Sequence, residues 1–83
     1  MTNVPPKLRE MWADAYRLFD IYYKMENNEE SWEKFWHDAG GLMAKYKKYH
    51  IMDEMVLLIT KMIENRIRME NNTFTSVETE NLF

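Results

Sequence analysis

Apolar residues recur at helical spacing in three successive stretches of this chain, with only short polar breaks between them. Two glycines and two prolines in 83 residues leave little turn chemistry for β-hairpins, so this periodicity decides the fold class. From Lys7 to about Glu26 the series is Leu8, Met11, Trp12, Ala15, Leu18, Phe19, Tyr22 and Met25. At 100° per residue these, with Tyr16 and Tyr23, fill an arc of roughly 180°. Arg9, Arg17, Asp20 and Lys24 take the other side. Pro5 and Pro6 stand ahead of this stretch, where a missing N–H costs a helix nothing.

The second series is Trp32, Phe35, Trp36, Ala39, Leu42, Met43, Tyr46 and Tyr49. Asn27 and Asn28 supply a turn and a cap, and Glu29 and Glu30 suit the positive end of a new helix. The phase runs through Gly40 and Gly41, which favours one helix over about residues 29–48 although each glycine costs about 1 kcal/mol relative to alanine. The alternative is a break at the pair. The third series is Ile51, Met52, Met55, Val56, Leu58, Ile59, Met62, Ile63, Ile67 and Met69, with Leu57 on the polar side. Arg66 lies inside this arc, with its charge expected to reach past the bundle edge. From Asn71 to Phe83 the chain is polar and lacks a helical period, which predicts a flexible or loosely docked tail.

The expected fold is therefore all-α: a three-helix bundle, or a helical hairpin plus a third helix, with a polar C-terminal tail. Helices are expected over about residues 7–26, 29–48 and 52–70, giving a three-helix domain over 1–70 and a tail over 71–83. Trp12, Phe19, Trp32, Phe35, Leu58 and Met62 are expected in the core.

Several function classes fall away. The chain has no cysteine, so disulfides, thiolate zinc sites and cysteine nucleophiles are excluded. Met1 leads into Thr2-Asn3-Val4-Pro5-Pro6-Lys7 with no basic-then-apolar segment, which points away from a secretory signal and toward the cytoplasm. The longest apolar run, Met55 to Ile59, is far short of the roughly 20 residues that cross a bilayer. Fourteen acids against 11 bases give a net charge of −3, without the basic excess of nonspecific nucleic-acid binders.

Candidate sites for chemistry are sparse. His50 and Glu54 stand at i, i+4 with Asp53 nearby, but zinc needs three or four ligands and the only other histidine is His37. Asp14, Asp20, Glu33 and Glu64 fall on polar helix faces, Asp38 at a stripe edge, and the glycine pair lies inside a helical pattern rather than in a phosphate loop. No catalytic residue, cofactor or metal is expected. The segment Lys45-Tyr46-Lys47-Lys48-Tyr49-His50 interleaves basic and aromatic residues as some nucleic-acid binders do, yet lysines at a helix end also complement the dipole.

What remains is an excess of apolar surface. Twelve aromatic residues and eight methionines, both types that favour binding surfaces, crowd arcs wider than the roughly 100° stripe a bundle helix needs. The expected interface residues are Tyr16 and Tyr23 at one edge of the first helix, Gly40 and Ala44 as a small-residue strip on the second, and Leu57 on the third.

The run Val4-Pro5-Pro6-Lys7-Leu8-Arg9-Glu10-Met11-Trp12-Ala13-Asp14-Ala15-Tyr16-Arg17-Leu18-Phe19-Asp20 resembles short uncharacterised helical proteins of Firmicutes phages and mobile elements. Trp32-Glu33-Lys34-Phe35-Trp36-His37-Asp38-Ala39 and Ile63-Glu64-Asn65-Arg66-Ile67-Arg68 share that resemblance, while the glycine pair and the tail depart from it. It brings no residue roles. It implies a non-enzymatic protein-binding module that inhibits or modulates a host complex, such as an anti-CRISPR protein blocking a defence nuclease. The alternatives are a structural or regulatory homodimer, or a small nucleic-acid-binding regulator that would use Lys45, Lys47 and Lys48. A protein partner or a second copy is the expected ligand, rather than nucleic acid or membrane.

Overall fold

The computed structural model describes residues 3–71. Three helices follow one another, α1 over Pro6–Tyr22, α2 over Glu29–Lys45 and α3 over Ile51–Asn71, with no strand among the described residues. The chain is an all-α three-helix bundle. The polar tail expected from residue 71 lies, beyond Asn71, outside the described residues.

Each boundary has a local cause. Pro6 opens α1 with Pro5 before it, as the missing donors allow. α2 opens on Asn28, whose side chain accepts a hydrogen bond from the Ser31 amide at 2.8 Å, and Glu29 and Glu30 face the positive end of the helix dipole. The Trp32 indole donates to Asn27 Oδ1 at 2.9 Å, pinning the first turn of α2 to the loop. Gly40 and Gly41 lie inside α2, which is continuous.

Two helices end earlier than periodicity predicts. α1 stops at Tyr22 rather than near Glu26, because the Met25 amide bonds back to the Tyr22 carbonyl and the chain turns. α2 stops at Lys45 rather than Lys48, because buried Tyr46 leaves helical geometry and the Tyr49 amide closes a tight turn onto its carbonyl. Both turns are made without glycine and without a positive φ. Periodicity reads the outward phase of side chains and is blind to a turn that preserves it.

The short connections make neighbouring helices antiparallel, so α1 and α3 run in the same direction. Their shared core holds Met11, Ala15 and Leu18 from α1, Phe35 and Ala39 from α2, Tyr46, and Met52, Met55, Val56, Ile59 and Ile63 from α3. Phe35 is fully buried and meets Tyr22, Trp32 and Trp36 in tilted or edge-on ring contacts with centroids 5.0–5.6 Å apart. Buried Thr60 turns its hydroxyl back to the Val56 carbonyl at 2.9 Å, so its polar atom is satisfied within the helix.

Arg66 corrects the sequence reading. Its charge does not escape past the bundle edge; the residue is buried. The guanidinium donates to the Met25 carbonyl at 2.6 Å and to Glu70 at 2.7 Å, and lies 5.9 Å from the Tyr23 ring centre. This ties α3 to the turn that ends α1. The Nε donor has no partner among the described residues.

Candidate functional site

α1 presents two flanks to the rest of the bundle, and they differ in chemistry. Toward α2 the flank is polar and closed by directed bonds. Half-buried Asp14 accepts from the Tyr46 hydroxyl at 2.5 Å and from Lys45 Nζ at 2.9 Å. Asp14 thus does not sit on a purely solvated face as its sequence position suggests, because α2 ends beside it and turns Tyr46 inward. The Tyr46 and Lys45 hydrogen bonds hold the Asp14 carboxyl below its ordinary 3.8, against a smaller opposing effect of burial. Two turns earlier on α2, the Tyr22 hydroxyl donates to the exposed Asp38 carboxylate. That bond, helped by burial, pushes the Tyr22 phenol up to about 12. Between these staples runs a shallow cleft of about 310 Å³ lined by Asp14, Arg17, Leu18, Ile21, Asp38 and Lys45, among others.

Toward α3 the flank is apolar and open. A groove of about 300 Å³ is lined by Trp12, Ala15, Tyr16, Phe19, Met55, Leu58, Ile59 and Met62, with no charged side chain in the lining. At Trp12 and Met55 it meets a second apolar hollow bordered by Val4, Leu8, Arg9, Ala13 and Ile51. The two form one face running the length of α1 and the first three turns of α3. Trp12 is 59% exposed, Tyr16 62% and Leu58 49%, and Val4 and Ile51 are also exposed.

Trp12 and Leu58 were expected in the core and are not there. The core needs only the central part of each arc: Met11, Ala15 and Leu18 on α1, and Met52, Met55, Val56, Ile59 and Ile63 on α3. Trp12 and Leu58 lie at facing edges of their arcs and line the groove between α1 and α3. Phe19, Trp32 and Met62 pack against the core partly buried, and Phe35 is within it.

The interface residues named from sequence are scattered. Tyr16 stands on the groove. Tyr23 is half-buried, its ring 4.9 Å from Phe19 and beneath the Arg66 guanidinium, so it belongs to internal packing. Leu57 is exposed but does not line the groove. Gly40 is half-buried and Ala44 exposed on α2, and a Cβ added at Gly40 would meet nothing within 4 Å. Gly40 and Ala44 stay one turn apart on α2, but the five residues do not gather on one surface. The wide arcs marked the groove helices, but which edge stays open depends on how α1 and α3 pack against each other.

Set against family models, curated proteins and solved structures, the chain matches none of them.

Among the described residues no group of three or more histidines and carboxylates is placed to hold a metal, and both His50 and Glu54 are exposed. No helix of the described residues is long and apolar enough to cross a membrane. In the basic-aromatic segment Tyr46 is buried and Lys45 is engaged by Asp14, which leaves Lys47 and Lys48 as its exposed lysines outside that pairing.

Proposed function

We propose that this chain is a non-enzymatic protein-binding module whose recognition surface is the groove between α1 and α3. The observation that supports the reading is a continuous apolar face, with Trp12, Tyr16 and Leu58 half-exposed, beside a polar flank whose hydrogen bonds are made within the chain. Transferring such side chains out of water on binding contributes on the order of 25 cal/mol per Å². Aromatic anchors in a central groove are the residues that dominate protein interfaces. The resemblance of residues 4–20 to phage and mobile-element proteins favours a host complex as the target, with block of a defence nuclease as the specific form of that reading.

The test is affinity capture from a bacterial lysate, read by mass spectrometry, with wild-type protein and the Leu58→Ser variant side by side. A host protein captured by the wild type and lost with Leu58→Ser, while the variant keeps its helical circular dichroism, supports the reading. Capture that ignores the groove variants contradicts it.

A further inference from the structure

The charged residues bordering the groove have a pattern of their own. On α1, Arg9 lies three residues before Trp12 and Asp20 four residues after Tyr16, so both stand where the polar side of the helix borders the groove. On α3, Glu54 lies four residues before Leu58 and Lys61 three after it, again on one edge. All four are exposed, and none enters a side-chain ion pair among the described residues. Because α1 and α3 run in the same direction, Arg9 and Glu54 mark one end of the groove and Asp20 and Lys61 the other. Each edge therefore changes sign along its length, and the two edges change in opposite senses.

The levels also match. Trp12 and Met55 line both parts of the groove and so stand at one height. The midpoint between Arg9 and Asp20 falls between residues 14 and 15, and that between Glu54 and Lys61 between residues 57 and 58. Both midpoints lie the same distance past the Trp12–Met55 level. A single two-fold axis across the groove passes through both.

We infer that the groove's occupant is a second copy of this chain, docked face to face about that axis with α1 antiparallel to its counterpart. This rests on the reading of the groove as a docking surface and names the partner it fits. The rotation lays Arg9 over the other copy's Asp20 and Glu54 over the other copy's Lys61, giving four opposite-sign pairs around an apolar centre of Trp12, Tyr16 and Leu58. A two-fold interface must be self-complementary, and few charge patterns are. Five half-exposed apolar side chains offer roughly 500 Å² per copy, and with the charged rim the pair covers on the order of 1,200 Å², the lower end of specific interfaces. Interfaces at that lower end belong to weak, transient complexes, so association is expected at micromolar concentrations, and a host partner using the same groove competes with it.

The experiment is light scattering on the full chain from about 1 to 500 μM at low and high salt, with circular dichroism to check folding. Wild type should move from monomer to dimer mass. Leu58→Ser or Tyr16→Ser should weaken association about thirtyfold or more. Arg9→Asp should weaken it on the order of tenfold at low salt, and adding Asp20→Arg to that variant should restore it. A monomer mass throughout, a dimer indifferent to the groove variants, or no recovery in the double reversal would overturn the inference. A monomer that still loses host capture on Leu58→Ser refutes the second copy and leaves the docking reading standing. A monomer whose capture ignores the groove removes both.

Discussion

The two flanks of α1 sit on one helix, share the same core behind them and reach opposite outcomes. Against α2, Asp14 gathers Tyr46 and Lys45, and Tyr22 reaches Asp38. Against α3, Trp12, Tyr16 and Phe19 face Met55, Leu58 and Met62 along an apolar lining, and among the described residues no hydrogen bond joins these side chains across it. Directed bonds demand one geometry, so the α1–α2 flank is finished by the chain itself. Apolar contact is non-directional and grows with the area covered, so the α1–α3 flank can still gain by covering more. The contrast separates residues that hold the fold from residues available to a partner.

The harshest way to test that separation is to remove what both flanks lean on. Phe35→Ala takes a fully buried ring from beneath Tyr22, Trp32 and Trp36 and should cost about 3–5 kcal/mol in urea unfolding, loosening both flanks together. A cost near that of a surface change would mean the core does not couple them.

A smaller and one-sided effect is expected at Asp14. Asp14→Ala leaves the hydroxyl of buried Tyr46 without its acceptor and should cost about 1–3 kcal/mol, while groove-dependent association is retained. The same residue predicts a pH dependence. Its carboxyl is held below the ordinary 3.8, so its contribution is complete above that value. The contribution fades as pH falls through the lower folded value. Wild type should lose stability in that acid window, and Asp14→Ala should flatten that part of the profile.

The smallest effect is expected on α2, away from both flanks. Gly40 has open space where a Cβ would stand and lies in a helix interior, so Gly40→Ala should stabilise by about 0.4–1 kcal/mol. Loss of association in that variant would move the docking surface from the α1–α3 groove to the Gly40–Ala44 strip.

The fold was legible because its main determinants are local. Helical period, the Asn28 cap, the proline start and the continuity through Gly40-Gly41 are set within a few residues of where they act. The helix ends were less legible, since Tyr22 and Lys45 are last residues for tertiary reasons: the inward turn of Tyr46 and the capture of the Met25 carbonyl by Arg66. Arc width announced surplus apolar surface on α1 and α3 without saying which members of each arc were surplus. Wheel position puts Tyr16 at an edge, while Trp12 and Leu58 share the helical period of the core positions and read as core, yet both are exposed. Their exposure depends on the packing of two helices distant in sequence, which no local pattern encodes.

The most direct test of the account is the equilibrium unfolding of Trp12→Ala. Trp12 is 59% exposed on the groove, and the account predicts a loss of no more than about 2.5 kcal/mol, with helix content unchanged. A loss of about 3–5 kcal/mol, as for a tryptophan enclosed in a core, would contradict it and turn the open flank into part of the fold's own support.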